Sequence, residues 1–214
     1  MKASIIIPYR TDRGYLSEAI DSAKRQELMT LGHDYEVIVQ QGDDILSVNI
    51  NKALERAQGK FIKILAEDDK LDPFCLHNLY NFAEDNNLDL VCADAINFSQ
   101  HGQSEVHQSV LPKTVSDMAY ENLIHGGTCL YRRAKMPLYD EKMWTAEEYD
   151  IHFRMALAGC KFGYVPKVVY YYRIHDQQKS SHYWTSDPIT GDLRREFVQN
   201  LQFKYMWNAT KINQ

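Results

Sequence analysis

The residues best suited to chemistry in this 214-residue chain are the acidic triplet Glu67-Asp68-Asp69, which follows directly on Phe61-Ile62-Lys63-Ile64-Leu65. A buried strand that ends in three carboxylates is costly, because like charges repel and each must give up water. A divalent cation carrying a phosphorylated ligand offsets that cost, since such cations prefer hard oxygen ligands. A second acidic group, Glu147-Glu148-Tyr149-Asp150, follows Thr145 at capping-box spacing and so predicts the start of a helix. Glu148 can serve there either by satisfying a backbone amide or by accepting a proton, with Glu147 as the alternate base. His175 stands beside Arg173 where an apolar run gives way to a polar stretch.

These residues need a frame that brings them together. Ser4-Ile5-Ile6-Ile7 is a short β-branched run closed by Pro8, which predicts a buried strand ending at a turn. Leu16, Ala19, Ile20 and Ala23 then recur at helical spacing. Tyr35 to Val39 predicts a second buried strand; Ile50, Ala53, Leu54 and Ala57 mark a second helix, with Gly59 as its cap. Phe61 to Leu65 is a third strand, and Asp72-Pro73 opens a helix with Leu76, Leu79, Tyr80 and Ala83 inward. Leu90 to Ala93 is a fourth strand. Such alternation predicts a parallel sheet covered on both faces. Ligands bind such sheets at the carboxyl ends of the strands, so Pro8-Tyr9-Arg10, Gln40-Gln41-Gly42 and the triplet become candidates for one site.

The second half is less regular. Residues 99–117 read as loops or a short hairpin, and Thr128 to Tyr131 and Val168 to Arg173 as strands. The helix after Thr145 should run to Ala158 and stop at Gly159. From Asp176 to Asp192 the chain is rich in Ser, Gln, Asp, Pro and Gly, which predicts a mobile loop able to act as a lid. Arg194 to Trp207 is helical in pattern, with Phe197, Val198, Leu201 and Tyr205 on an apolar face.

Composition sets the bounds. A hydrophobic share of 44% and a charged share of 25% are those of one globular domain over 1–214. A net charge of −5 gives no footprint for nucleic acid, and no apolar run approaches a transmembrane span. Cys75, Cys92, Cys129 and Cys160 show no metal-ligand spacing and read as thiols, mostly buried. The chain enters a strand directly after Met1-Lys2, leaving no room for a signal peptide, so a cytoplasmic protein is expected.

Taken in order, these pieces resemble a family 2 glycosyltransferase of the GT-A fold. Ser4 to Tyr9 with Leu16, Ala19-Ile20, Ser22 and Gln26 is similar to the family's opening strand and helix. Ser47, Asn51, Ala57, Gly59, Phe61-Ile62 and Leu65 lead to its metal motif, here Ala66-Glu67-Asp68-Asp69 with Pro73 beyond. Glu147-Glu148-Tyr149-Asp150 with Arg154 and Gly159 resembles its acidic-pair helix. Tyr172-Arg173-Ile174-His175, with Ser180 or Ser181 beyond, resembles its closing motif.

The resemblance implies a mixed, mostly parallel α/β sheet with a Rossmann-like nucleotide half over about 1–95 and an acceptor half over about 96–214. It implies a Mn2+- or Mg2+-dependent transfer of one sugar from a UDP-sugar to a glycan or other hydroxyl-bearing acceptor, with inversion. Asp68 is then the direct metal ligand, or Asp69 if the motif is Glu-x-Asp; Glu67 touches ribose or a metal-bound water. His175 would reach the metal or the pyrophosphate, and Arg173 the phosphates or a carboxylate of the site. Glu148 is the base, while Pro8, Tyr9 and Arg10 flank the nucleoside. Departures are visible too. Gln40 and Gln41 replace two aspartates, one of which reads the base; Ile50 stands where an arginine is usual, and Ala66 replaces the leading aspartate. The Gln-x-x-Arg-Trp motif of polymerising members is missing, which favours single transfer. An inactive nucleotide-sugar or glycan-binding module is the alternative. A sugar nucleotidyltransferase fits less well, because Pro8 to Gly14 is a poor triphosphate cradle.

Overall fold

The computed structural model describes residues 1–27, 34–114, 117–118, 123–178, 196 and 198–205. The first half folds as β1 (Ala3–Tyr9), α1 (Leu16–Lys24), β2 (Tyr35–Gln41), α2 (Leu46–Leu54), β3 (Phe61–Ile64), β4 (Lys70–Leu71), α3 (Cys75–Asp85) and β5 (Leu90–Ser99). There follow β6 (Gly102–His107), a 3-10 turn at Gly126–Thr128, β7 (Leu130–Arg132), α4 (Glu147–Leu157) and β8 (Phe162–Arg173).

The strands form one sheet in the order β2-β1-β3-β7-β5-β8-β4, with β6 paired to β5. Parallel pairing joins β1 to β2 and β3, and β5 to β8. β7 runs antiparallel between β3 and β5, and β4 and β6 are also antiparallel to their partners. The sheet is therefore mixed and mostly parallel, as expected. Its register sets Tyr9 beside Gln41 and Ile64 beside Ile6, so the first three strands end at a common edge.

Side chains alternate across each strand, and this divides the core into two layers. On one face Ile5 and Ile7 of β1 meet Ala19 and Ala23 of α1 and Leu76 and Leu79 of α3. On the other, Ile6 meets Ile50 and Ala53 of α2 and Ile151 and Met155 of α4. Burying each large aliphatic side chain contributes about 2 kcal/mol, so the apolar faces of the helices fix the layers. A third cluster joins α4 to the helical residues 198–205, where the rings of Phe153 and Tyr205 stack with centroids 4.1 Å apart.

Several local expectations need correction. β2 is an edge strand and not a buried one: only Ile38 is buried and Val39 is 36% exposed. Gly59 is not the cap of α2, which ends at Glu55. Its N–H donates to Ser4 Oγ at 2.8 Å, and a Cβ there would lie 2.3 Å from the Ser4 nitrogen, so glycine is needed for contact with β1. α4 does not start from a capping box at Thr145; its N-cap is Ala146, held in the left-handed region at φ 59°. Its other end is as expected, with Gly159 at φ 73° and Cys160 N–H reaching back to the Met155 carbonyl at 3.0 Å. Asp72 acts two residues before the cap of α3, Phe74, whose N–H donates to the Asp72 Oδ1 at 2.9 Å. Most of the predicted lid and part of the predicted tail helix, including Ser180, Ser181, Phe197 and Trp207, lie outside the described residues.

Candidate active site

Three chain segments leave the strand ends and enclose one cleft of about 650 Å3, walled by Pro8–Thr11 and Arg13, Asp44–Leu46 and Asn49, and Ala66–Asp69. The far wall is Trp144–Tyr149, with Tyr172, Arg173 and Gln178 at the side. The β1 and β2 turns are tied together where Gly42 N–H donates to the Tyr9 carbonyl at 3.1 Å. Asn49 of α2 holds the β2 turn down by donating to the Gly42 carbonyl at 3.0 Å and the Asp44 carbonyl at 3.2 Å. α2 also fixes the far wall. Asn51 donates to the Tyr139 carbonyl and accepts from Tyr139 N–H, both at 2.9 Å, and Ser47 Oγ donates to the Met143 carbonyl at 3.2 Å. The chain that leads to Glu147 and Glu148 is thereby anchored to the helix behind the β2 turn.

Within the triplet the three carboxylates have different tasks. Asp69 is buried at 3% exposure; Tyr170 O–H and Arg173 N–H donate to its two oxygens, each at 2.7 Å. Burial, and then the charge of Asp68, push its carboxyl well above the usual range. Asp69 therefore anchors the motif to β8. Asp68 Oδ2 lies 3.1 Å from Arg13 Nη2 and 3.0 Å from His175 Nε2. Glu67 Oε1 meets the same Arg13 nitrogen. Burial raises the Glu67 carboxyl, with repulsion from Asp68 adding to it and Arg13 opposing both.

The remaining site residues divide clearly. Pro8, Tyr9, Arg10, Glu67, Asp68, Asp69, Glu147, Glu148 and Arg173 all line the cleft. Gln40 and Gln41 do not: Gln40 accepts from Arg56 Nη2 at 2.6 Å and donates to the Gln41 carbonyl at 2.6 Å on the outer edge. His175 sits behind Asp68, its ring 4.9 Å from that of Tyr15. Arg173 is heavily engaged, donating to the Asp68 carbonyl at 2.6 Å, pairing with Glu18 and lying over Tyr15 and Phe98 at 4.5 and 4.4 Å.

Sequence reasoning missed Arg13, Asp44, Trp144, Lys63 and Gly126. Asp43-Asp44 directly before α2 repeats the strand-then-acid arrangement of the triplet and is the signal that could have found Asp44. Lys63, inside the apolar run, is fully buried; its Nζ donates to the Gly127 carbonyl and lies 5.0 Å from the Tyr170 ring. It thus pins the Gly126–Thr128 turn. A Cβ on Gly126 would fall 2.5 Å from Glu148 Cγ and 2.7 Å from its Cβ, so this turn is the surface on which Glu148 rests.

Among the described residues no group of three or more His, Cys, Asp or Glu side chains forms a ready metal cage. A divalent ion held by one or two carboxylates plus substrate phosphates needs less. Glu67 and Asp68 already converge on one cationic nitrogen of Arg13, which stands where such an ion would sit. That pair fits the group.

A mixed sheet with an acidic turn at its carboxyl edge and a carboxylate-bearing helix opposite is the arrangement of nucleotide-sugar transferases of the GT-A type. The model of glycosyl transferase family 2 matches residues 27–144, more than half of the chain, and the protein belongs to that family. EpsH of Bacillus subtilis (strain 168), described as a glycosyltransferase, is 25% identical over 166 residues, covering 70% of this chain and 47% of EpsH. The chain thus spans about half the length of that curated relative. A crystal structure of S. aureus TarS 1–349 in complex with UDP-GlcNAc matches with TM-score 0.72 at 18% identity, covering 98% of this chain and 67% of that one. TarS 1–349 in complex with UDP matches with TM-score 0.65 at 19% identity, over 82% and 61% of the two chains. No helix among the described residues is long and apolar enough to cross a membrane.

Proposed function

We propose that this chain moves one sugar from a UDP-sugar to an acceptor hydroxyl, with inversion. The observation that carries the reading is a single cleft with the cation-holding pair Glu67 and Asp68 on one wall and Glu148 on another. Its volume suits a ligand of nucleotide-sugar size, and the likeness to TarS bound to UDP and UDP-GlcNAc supports that donor class. When bound, a divalent ion (Mn2+ or Mg2+) at Glu67 and Asp68 supplies Lewis-acid stabilisation of the charge that builds on the departing β-phosphate. Asp69 keeps the motif in place from behind, and His175 orients Asp68 through its hydrogen bond. Pro8, Tyr9 and Arg10 would flank the nucleoside. Asp44 and Asn49 offer polar groups on the wall that Gln40 and Gln41 do not reach.

Glu148 takes the proton of the acceptor hydroxyl as that oxygen bonds to the anomeric carbon. The bond from that carbon to the β-phosphate oxygen breaks, and its electron pair leaves with UDP. Attack from the face opposite the leaving group inverts the anomeric centre. The missing Gln-x-x-Arg-Trp motif supports one transfer per encounter, and the buried free thiols Cys75, Cys92 and Cys129 suit a cytoplasmic setting.

The test is UDP release from UDP-GlcNAc with Mn2+, beside calorimetry of UDP binding, for the wild type and Glu148→Gln. The variant should bind UDP normally and lose about 10²–10⁴-fold in rate, the share of a general base. Near-normal release by Glu148→Gln would remove the base assignment. Binding with no release by the wild type would favour a nucleotide-sugar-binding module, the reading to which Gln40, Gln41 and Ile50 lend weight.

A further inference from the structure

Resting on that reading of the cleft as a diphosphate site, we propose that Arg13 is a tethered cation that competes with the divalent ion for Glu67 and Asp68 and transfers to the donor's diphosphate. One guanidinium nitrogen, Nη2, meets Glu67 Oε1 and stands 3.1 Å from Asp68 Oδ2. The other, Nη1, donates to the Gln177 carbonyl at 2.6 Å. Nε is buried and has no hydrogen-bond partner among the described residues. Arg13 thus spends two nitrogens and strands the third, although a buried donor without a partner is costly.

The carboxylate pair cannot serve two cations at the same oxygens. A metal on Asp68 Oδ2 and Glu67 Oε1 would meet the guanidinium at van der Waals range, and like charges at that distance repel strongly in a part-buried site. Metal entry therefore requires Arg13 to leave. A diphosphate in the cleft gives it a destination, because phosphate oxygens match the forked donors of a guanidinium and can take the stranded Nε–H. Arg173 cannot stand in for Arg13, since its guanidinium is already spent on the Asp68 carbonyl, Glu18 and two aromatic rings. The same movement breaks the Arg13–Gln177 link, so arrival of donor also unties the β1 loop from the segment after β8. Metal and nucleotide then bind interdependently, and metal alone binds weakly.

The experiment is Mn2+ titration followed by the electron spin resonance signal of the free ion, without and with UDP, on the wild type, Arg13→Ala and Arg13→Lys. Arg13→Ala should bind Mn2+ alone about tenfold more tightly than the wild type, and the factor by which UDP enhances Mn2+ binding should shrink correspondingly. Arg13→Lys keeps the charge and should stay near the wild type. Unchanged or weaker Mn2+ binding by Arg13→Ala overturns the proposal. Circular dichroism and Tm check the fold; if Arg13→Ala does not fold, Arg13→Gln carries the same expectation. A wild type that binds UDP, with a variant that gains no Mn2+ affinity, sinks the role of Arg13 alone. A wild type that binds no UDP under any condition sinks the diphosphate reading and this inference with it.

Discussion

Gly126→Ala should separate the placement of Glu148 from every other property of the cleft. The new Cβ would lie 2.7 Å from Glu148 Cβ, and no rotamer relieves that contact because Cβ is fixed to the backbone. Ordinary contact begins near 3.4 Å, so either the N-terminal turn of α4 or the Gly126–Thr128 turn must give way by about 0.7 Å. Lys63, bonded to the Gly127 carbonyl, holds the turn, which leaves α4 as the part that moves. A base displaced by somewhat under 1 Å loses on the order of 10–100-fold in rate. UDP affinity should stay within about twofold, because the β1 and β2 turns and the triplet are untouched. The assay is UDP release from UDP-GlcNAc beside calorimetry of UDP. Unchanged release in a folded variant would refute the placement of Glu148 as base; lost UDP binding would refute the separation of the two walls.

Other consequences follow from the groups behind the cleft. Tyr170→Phe removes the 2.7 Å donor to Asp69, a bond to a buried acid worth about 2 kcal/mol, so Tm should fall by about 4–8 °C in a thermal melt; an unchanged Tm would mean that Asp69 does not need this donor. Stability should also fall on acidification. Burial lowers His125 to about 4 and His152 to about 3 from the ordinary 6.5, so both are neutral when folded and take up protons on unfolding. Their stabilisation is complete above about pH 6.5 and is lost as pH drops through these lowered values. Asp69, raised by burial, acts in the opposite direction, since it releases a proton on unfolding. The histidine share is therefore read as a difference: denaturant melts at stepped pH should show a shallower acid-side slope for His152→Gln than for the wild type. Equal slopes would contradict it.

The alternation of strand and helix was legible because burial on two faces imposes periods that survive in one sequence. The unbroken run Ile5-Ile6-Ile7 marks a strand buried on both faces, and Leu76, Leu79 and Ala83 mark the inward face of a helix. What the pattern cannot report is lateral position. β2 has the same apolar run as an interior strand, yet lies at the edge, because sheet order depends on pairings between distant segments. The acidic triplet and Glu148 were found as types; their division of labour was not. Asp69 is distinguished from Asp68 only by Tyr170 and the Arg173 amide, more than one hundred residues away. Arg13 reaches Glu67 across 54 positions, and nothing near it in the chain marks it as a cation for the site. Gly59 reads from the sequence as a helix cap and nothing around Gly126 marks it, whereas the need at both is for close approach, by β1 and by Glu148.

In the proposed reaction Glu67 and Asp68 hold the cation through which a nucleoside diphosphate is gripped. A crystal structure with UDP and Mn2+ tests it most directly. The expected complex has a metal bound by Glu67 and Asp68 with the diphosphate on it, the nucleoside against Pro8–Arg10, and Arg13 moved off the carboxylates onto phosphate. Diphosphate bound away from residues 67–68, or Mn2+ held without either carboxylate, would contradict it.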